Sequence, residues 1–349
     1  MIQHSADNKF LTTFRIPVHA QEISTARWPH EFYTAYHRAK ENNQDLIILG
    51  QGSNVLFVED YHGEILINKY TGINVSVTPD SYILKVNSGV TIDELIAYCH
   101  RFKIYGLENL SLIPSSIGTA AIGNIGAYGV EFERFVDHVV LLNLETGIKE
   151  ILHHQQLEFA YRHSILKEKY SKSYAVLTVQ LRLPKKYQPV LTYSPLNQLD
   201  PNTVTAKQVQ EIVVQERKRK LPDYNEKGNA GSFFINPIVD KQVLEQLMQT
   251  YEKVPSYPVD QQKVKLSAGW LIEHTGLKGF NLDHAQVSPQ HALVLTNTGL
   301  ATGSAIAKLA AHVQQQVFSK FNILLQPEIR FIAKDGEVNA TEYLKTLWH

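Results

Sequence analysis

Short apolar and alternating runs dominate the first half of the chain. LIILG (46–50), EILIN (64–68), YILKVN (82–87), VVLLNL (139–144) and YAVLTVQLRL (174–183) read as strands. Helices are fewer in this half, over roughly 29–42 and 91–102. In the second of these, Thr91 and Glu94 form a capping box. Ile92, Leu95, Ile96, Cys99 and Phe102 follow at helical spacing, which makes Cys99 a core residue rather than a reactive thiol. Runs of strands with few intervening helices indicate an α+β arrangement rather than steady βαβ alternation. The pattern breaks at Pro184, and Pro189, Pro195 and Pro201 follow closely, as in a linker or an irregular excursion. A second α+β region then predicts helices over 206–219, 240–251, 268–275 and 304–320. The last carries Ile306, Leu309, Ala310, Val313 and Val317 on one face. Residues 327–332 read as a final strand.

Composition narrows the class. With 349 residues, about two domains are expected, at roughly 150 residues each. The 44% hydrophobic and 19% charged content supplies ordinary cores and excludes a disordered chain. Lys plus Arg is 34 and Asp plus Glu is 34, so the basic excess of nucleic-acid and membrane-surface binders is missing and neither partner is expected. The single cysteine, Cys99, rules out an internal disulfide and argues against a Cys-based zinc site. No HExxH motif occurs, and His153-His154 precede a Gln-rich stretch as a solvated turn would, so no metal is expected. The N-terminus lacks a basic-then-apolar leader, and no run approaches the roughly 18 apolar residues that a membrane span needs. A cytoplasmic protein is the expectation.

Six segments could carry chemistry. In LGQGSNVLF (49–57) a strand ends in Gly50 and Gly52, followed by Ser53 and Asn54. Glycines let amides approach a phosphate, although a plain β-turn uses the same residues. A strand rather than a helix follows, so neither the Rossmann fingerprint nor a Walker A motif is present. Residues 106–129 are Gly-rich and almost uncharged, poorly suited to a regular helix or a surface loop. They suit backbone lying against a planar ligand, or a buried irregular connection. In YRHS (161–164), Arg162 offers a permanent fork for a carboxylate, or is a surface arginine. On the 206–219 helix and just beyond it, Val209, Val213, Glu216, Arg217 and Lys220 share a face. Its cations either complement the helix dipole or project into an anionic site. GNAGSFFINP (228–237) delivers Ser232 at the start of an apolar strand, with Phe234 on its face and Phe233 opposite. No hydrolase triad accompanies it, which favours a proton donor or a structural hydroxyl over a nucleophile. In QPEIRF (326–331), Glu328 and Arg330 share a strand face, where a mutual ion pair is the plain alternative.

Together with KLPD (220–223) and GWLIE (269–273), these segments resemble the UDP-N-acetylenolpyruvoylglucosamine reductase family over nearly the whole chain, in order and spacing. LTYS (191–194), carrying Tyr193, resembles the family's longer subclass. The resemblance implies an FAD-binding fold of the vanillyl-alcohol-oxidase (PCMH) type in two subdomains, residues 1–70 and 71–205. It also implies an α/β substrate domain over 206–325 that closes over a sugar nucleotide, with a strand and tail at 326–349 returning to the active site. The implied reaction reduces an enolpyruvyl ether of a UDP-sugar with NADPH as co-substrate and non-covalent FAD, in peptidoglycan precursor synthesis. By motif matching, Arg162, Ser232 and Glu328 would be catalytic, with Ser232 the proton donor; a donor role for Glu328 requires its acid form. Gly50, Gly52, Ser53 and Asn54 would cradle the FAD diphosphate, and Thr119, Asn124, Gly126, Ala127, Tyr128 and Arg330 would line the cofactor. Tyr193, Lys220, Asn236 and His291 would bind the UDP-sugar.

The chain departs from the family at Ser115 (usually Gly), around Gly123, at His163 (usually Asp) and at His291 (usually Gln). These changes bear on flavin-loop geometry and substrate binding and leave the three catalytic positions intact. A monomer is expected. Two other readings stay open: a different FAD oxidoreductase of the same fold, and a non-catalytic UDP-sugar sensor.

Overall fold

The computed structural model describes residues 3–4 and 8–348. The chain divides into two compact units. One comprises residues 1–20, 52–62 and 220–349, the other residues 21–51 and 63–219.

The second of these units is built on an antiparallel sheet. In spatial order its strands are Lys149–His153, Val136–Asn143, Tyr174–Pro184, Ser81–Asn87 and Ile73–Val77. Alternation along them turns Leu84, Val86, Val139, Leu141, Val179 and Leu181 inward, where the helix Ile92–Arg101 covers them. That helix starts as its sequence predicts: the Thr91 hydroxyl accepts the Glu94 N–H at 3.1 Å, and the Glu94 carboxylate accepts the Thr91 N–H at 2.8 Å. Cys99 lies in this core, and burial, with the Glu108 carboxylate second, pushes its thiol up to about 12. Apart from this sheet, Leu46–Leu49 pairs in parallel with residues 64–67, beside the helix Pro29–Glu41.

Two readings of this unit need correction. Residues 106–129 are not irregular throughout. Ile117–Gly123 forms a seven-residue helix whose Ala120 and Ala121 are fully buried. Small side chains let its backbone pack closely, and the Thr119 hydroxyl accepts the Ser116 N–H at 3.1 Å, offsetting poor helix propensity. The Pro-rich excursion is also more than a linker. Leu196 is buried against Val209 and Val213 of the helix Ala206–Lys220, forming a small core of its own.

The other unit is centred on the helix Gly303–Phe321, buried over Ile306, Leu309, Ala310, Val313 and Val317 as its periodicity predicts. Around it run a sheet ordered Asn229–Ser232, Val294–Asn297, Ala285–Val287, Asn281–Leu282 and another ordered Ile238–Asp240, Lys263–Leu266, Ser256–Pro258. In a third sheet, Arg330–Ala333 pairs in parallel with Val55–Phe57 and antiparallel with Gly336–Val338.

Here the boundaries differ from expectation at both chemically interesting segments. Ser232 ends its strand instead of starting one, after a register irregularity between Asn229 and Ser232. Phe233 and Phe234 are consequently both buried, rather than alternating. The last strand begins at Arg330, not at Pro327: Pro327 has no N–H to donate, and the Glu328 N–H turns to the Phe233 carbonyl at 2.8 Å. Among the described residues, no helix is long and apolar enough to cross a membrane.

The raised Cys99 value means that the thiol stays protonated across neutral pH in the folded state and ionises only on unfolding. At pH 8, labelling of native protein with a thiol reagent is expected to run at least ~100-fold slower than labelling of denatured protein. Comparable rates would show that the thiol is accessible and ionised in the fold.

Candidate active site

The strand Leu46–Leu49 runs into Gly50, and an added Cβ at Gly50 would stand 2.4 Å from the Ser116 hydroxyl oxygen and 3.2 Å from the Thr119 methyl. Only glycine lets this backbone pass so close to the start of the Ile117–Gly123 helix. Hydroxyls crowd that helix start: Ser115 Oγ and Ser116 Oγ lie 2.9 and 3.0 Å from Thr119 Oγ1. Gln51 Nε2 donates to the Ser115 carbonyl at 3.4 Å. A bare backbone bend faced by uncharged hydroxyls suits a phosphate-bearing cofactor with a planar ring, so the residues present fit FAD.

Further along, Asn124 (φ 40°) precedes the short hairpin of Gly126–Ala127 and Val130–Glu131, and Tyr128 (φ 48°) sits in its turn. The buried Asn124 carboxamide is committed within the protein. Its Nδ2 donates to the Ala160 carbonyl at 3.0 Å, and its Oδ1 accepts the Glu133 N–H at 3.0 Å. Arg162, itself left-handed at φ 56°, donates from Nη2 to the Gly126 carbonyl at 2.8 Å. Its guanidinium sits 5.1 Å from the centroid of the Tyr161 ring. The structure thus brings Arg162, Asn124 and Gly126 together, and half-buried Tyr128 continues the same hairpin. Burial raises the Tyr128 phenol above its ordinary value, with Arg217 opposing. Arg217 donates to the Leu112 carbonyl at 3.2 Å, and burial pulls its guanidinium below the usual arginine range. Arg217 therefore turns inward onto backbone, and whether this helix end faces an anionic ligand stays a proposal. Half-buried Tyr193 packs beside Gly129.

In the other unit, the Ser232 and Glu328 segments lie side by side. The Glu328 N–H donates to the Phe233 carbonyl at 2.8 Å and the Ile235 N–H to the Gln326 carbonyl at 3.0 Å. Asn54 Nδ2 donates to the Glu328 carbonyl at 3.0 Å, and the Arg330 N–H to the Asn54 carbonyl at 3.2 Å. Ser232, Glu328, Arg330 and Asn54 therefore belong to one backbone network, which also reaches Gly52 and Ser53 along the chain. The Glu328–Arg330 ion pair is replaced. Arg330 instead pairs through Nε and Nη2 with the Glu337 carboxylate at 2.9 and 2.6 Å, its diagonal neighbour across the hairpin.

Asn236 Oδ1 accepts the Ala268 N–H at 2.9 Å, so the residue anchors the helix Ala268–His274. His291 Nδ1 accepts the Leu293 N–H at 3.2 Å, which places its ring proton on Nε2. Burial first, then the positive charges of Lys220 and Lys278, hold this imidazole below its ordinary value, in the neutral form. His163 faces Glu168 at 3.6 Å. Sequence reasoning missed Asn109, whose buried amide reaches Tyr128 and Val190. Nothing in the local pattern distinguishes it from other loop asparagines. No group of three or more His, Cys, Asp or Glu able to hold a metal occurs among the described residues.

Comparison with known proteins agrees with this geometry. Residues 24–149 match the FAD binding domain family, and the mixture of helices and strands is the expected α+β class. Residues 223–332 match the UDP-N-acetylenolpyruvoylglucosamine reductase C-terminal domain. The chain is 45% identical over 330 residues to the UDP-N-acetylenolpyruvoylglucosamine reductase of Salmonella choleraesuis, covering 95% of this chain and 96% of that one. It is 44% identical, with the same coverage, to that of Escherichia coli K12. A crystal structure of the Thermus caldophilus reductase superposes with a TM-score of 0.64 at 20% identity, over 95% of this chain and 99% of that one, a likeness of fold. The chain belongs to the UDP-N-acetylenolpyruvoylglucosamine reductase family, a family of FAD-dependent oxidoreductases.

Two substitutions at Asn236 test the helix-anchoring bond and the expected substrate contact separately. Asn236→Asp keeps the acceptor for Ala268 and loses the amide donor. It is expected to keep thermal stability within about 2 °C while raising KM for the sugar nucleotide about tenfold. Asn236→Ala is expected to lose both, with stability down by about 1 kcal/mol. Unchanged KM in the Asp variant, measured beside its melting curve, would remove Asn236 from substrate binding.

Proposed function

We propose that this protein reduces the enolpyruvyl ether of UDP-N-acetylglucosamine to UDP-N-acetylmuramate with electrons from NADPH, a step in peptidoglycan precursor synthesis. Family membership supports the reaction. The observation that carries its chemistry is the backbone pairing of the Ser232 and Glu328 segments, which sets a hydroxyl and a carboxyl on neighbouring stretches of chain.

FAD, once reduced by NADPH, would supply the hydride for the β-carbon of the double bond. That addition breaks the π bond and leaves an electron pair at the α-carbon, delocalised into the attached carboxylate. Arg162 places fixed positive charge at that carboxylate, and the Glu328 side chain completes the polar surroundings of the reacting group. The Ser232 Oγ–H then gives its proton to the α-carbon. A serine hydroxyl is a weak acid, but the enolate is a strong base, and positioning makes the transfer competent. Solvent returns the proton to Oγ after product leaves. Ser232 is suited to this task because its strand stops there. Phe233 and Phe234 anchor the backbone in the core, while Ser232 stays partly open.

In this reading residues 1–70 and 71–205 hold FAD, 206–325 hold the sugar nucleotide, and 326–349 return Glu328 and Arg330 to the reaction. Gly50, Gly52, Ser53 and Asn54 contact the diphosphate. Thr119, Gly126, Ala127 and Tyr128 line the ring, and Asn124 contributes through its backbone, its side chain being engaged elsewhere. Lys220 pairs with substrate charge and Tyr193 covers the nucleotide. His291, neutral with its proton on Nε2, donates a hydrogen bond where a glutamine amide would in relatives. The protein acts on small molecules, and it acts alone in the cytoplasm.

Anaerobic half-reactions test the proton donor. Ser232→Ala is expected to let NADPH reduce the bound flavin within about threefold of the wild-type rate. Reoxidation by the enolpyruvyl sugar is expected to slow by roughly 10²–10⁴-fold. Wild-type rates in both halves would take the proton-transfer role from Ser232.

A further inference from the structure

The carboxamide of Asn109 is almost completely buried, and its Nδ2 donates to two carbonyls far apart in sequence. One is that of Tyr128 at 2.8 Å, the other that of Val190 at 3.0 Å. Tyr128 belongs to the hairpin read as lining the flavin. Val190 leads directly into Thr192 and Tyr193, the segment read as covering the sugar nucleotide. Contact between these two stretches is direct as well. At Gly129 (φ 84°) an added Cβ would stand 2.3 Å from Thr192 Oγ1 and 3.2 Å from the Tyr193 ring. Both stretches lie in the same compact unit.

Two carbonyls sharing one buried donor group cannot move independently. Displacing either one stretches a hydrogen bond from a buried amide, and a buried donor left unsatisfied is costly. The missing side chain at Gly129 removes the spacer that would otherwise let the two stretches slip. We infer that Asn109 is a positioning residue that couples the flavin-lining hairpin to the Tyr193 segment, so that sugar-nucleotide occupancy is transmitted to the flavin environment. The inference rests on the functional reading above, because it needs flavin at Tyr128 and nucleotide at Tyr193. Linkage makes the coupling reciprocal: whatever the nucleotide does to FAD affinity, FAD does equally to nucleotide affinity.

The test uses FAD-loaded wild type and Asn109→Ala, with UDP-N-acetylglucosamine as the probe. In wild type the probe is expected to shift the visible absorption of the bound flavin. In the variant the holoenzyme is expected to remain folded and yellow, the shift to fall at least about fivefold in amplitude at saturation, and the probe to bind about tenfold more weakly. A merely structural role would lower the melting temperature yet leave the saturated spectral shift intact, and that result overturns the coupling. Hydrogen exchange on the wild-type holoenzyme decides the matter even where the variant does not fold. Adding the probe is expected to slow exchange in peptides covering 126–129 and 190–193 together, and slowing confined to 190–193 overturns the inference. A wild type whose flavin ignores the probe overturns the functional reading and the coupling with it. A wild type and variant that respond alike overturn the coupling alone.

Discussion

The Leu46–Leu49 strand leaves its sheet only a hydroxyl's breadth from the start of the Ile117–Gly123 helix, and everything proposed for the cofactor depends on that approach. A single methyl at Gly50 would press on Ser116 and Thr119 and push the two backbones apart. Close backbone approach creates a surface of amides and hydroxyls without bulky side chains, as a phosphate and a flat ring require. It has a cost: polar backbone in a buried segment must find partners. Residues 106–129 meet that demand locally. The Glu108 carboxylate accepts the Gly106 N–H at 2.9 Å with both oxygens, and Asp93 accepts the Leu112 N–H at 2.8 Å. Asn109 and Asn124 satisfy the carbonyls of Tyr128, Val190 and Ala160. The uncharged glycine-rich stretch is thus held by a small set of polar side chains, three of them (Glu108, Asn109 and Asn124) buried, more than by a ladder of its own.

The other compact unit solves a different problem with main-chain bonds. Ser232 and Glu328 are almost a hundred positions apart, yet the main-chain bonds from Glu328 to Phe233 and from Ile235 to Gln326 bring their segments together. Phe233 and Phe234, both in the core, prevent the strand end from rotating. Their placement is thus set by backbone and core, and for the chemistry proposed above precise placement matters more than raw acidity.

Much of this was legible in the sequence. Strands rich in Val, Ile and Leu announce themselves, as do the Thr91–Glu94 cap and the apolar stripe of 304–320. The Ile117–Gly123 helix did not, because Gly118 and Gly123 carry low propensity and its Ser116–Thr119 cap lacks the acidic partner that marks a capping box. The stop at Ser232 and the late start at Arg330 depend on which strand accepts which N–H, a long-range matter that local alternation cannot encode. Arg330 found Glu337 instead of Glu328 because hairpin register, not sequence proximity, decides cross-strand neighbours. The site residues themselves were legible only as family motifs. Spacing alone left the turn at Gly50 and the surface placement of Arg162 as open alternatives.

The central claim is that the glycine-bounded, hydroxyl-lined bend holds FAD without a covalent bond. Titrating flavin-free protein with FAD, following flavin absorbance and then denaturing the complex, tests it most directly. The account predicts stoichiometric uptake and full release of unmodified FAD on unfolding. A folded chain that takes up no FAD, or one that keeps its colour after denaturation, would contradict it.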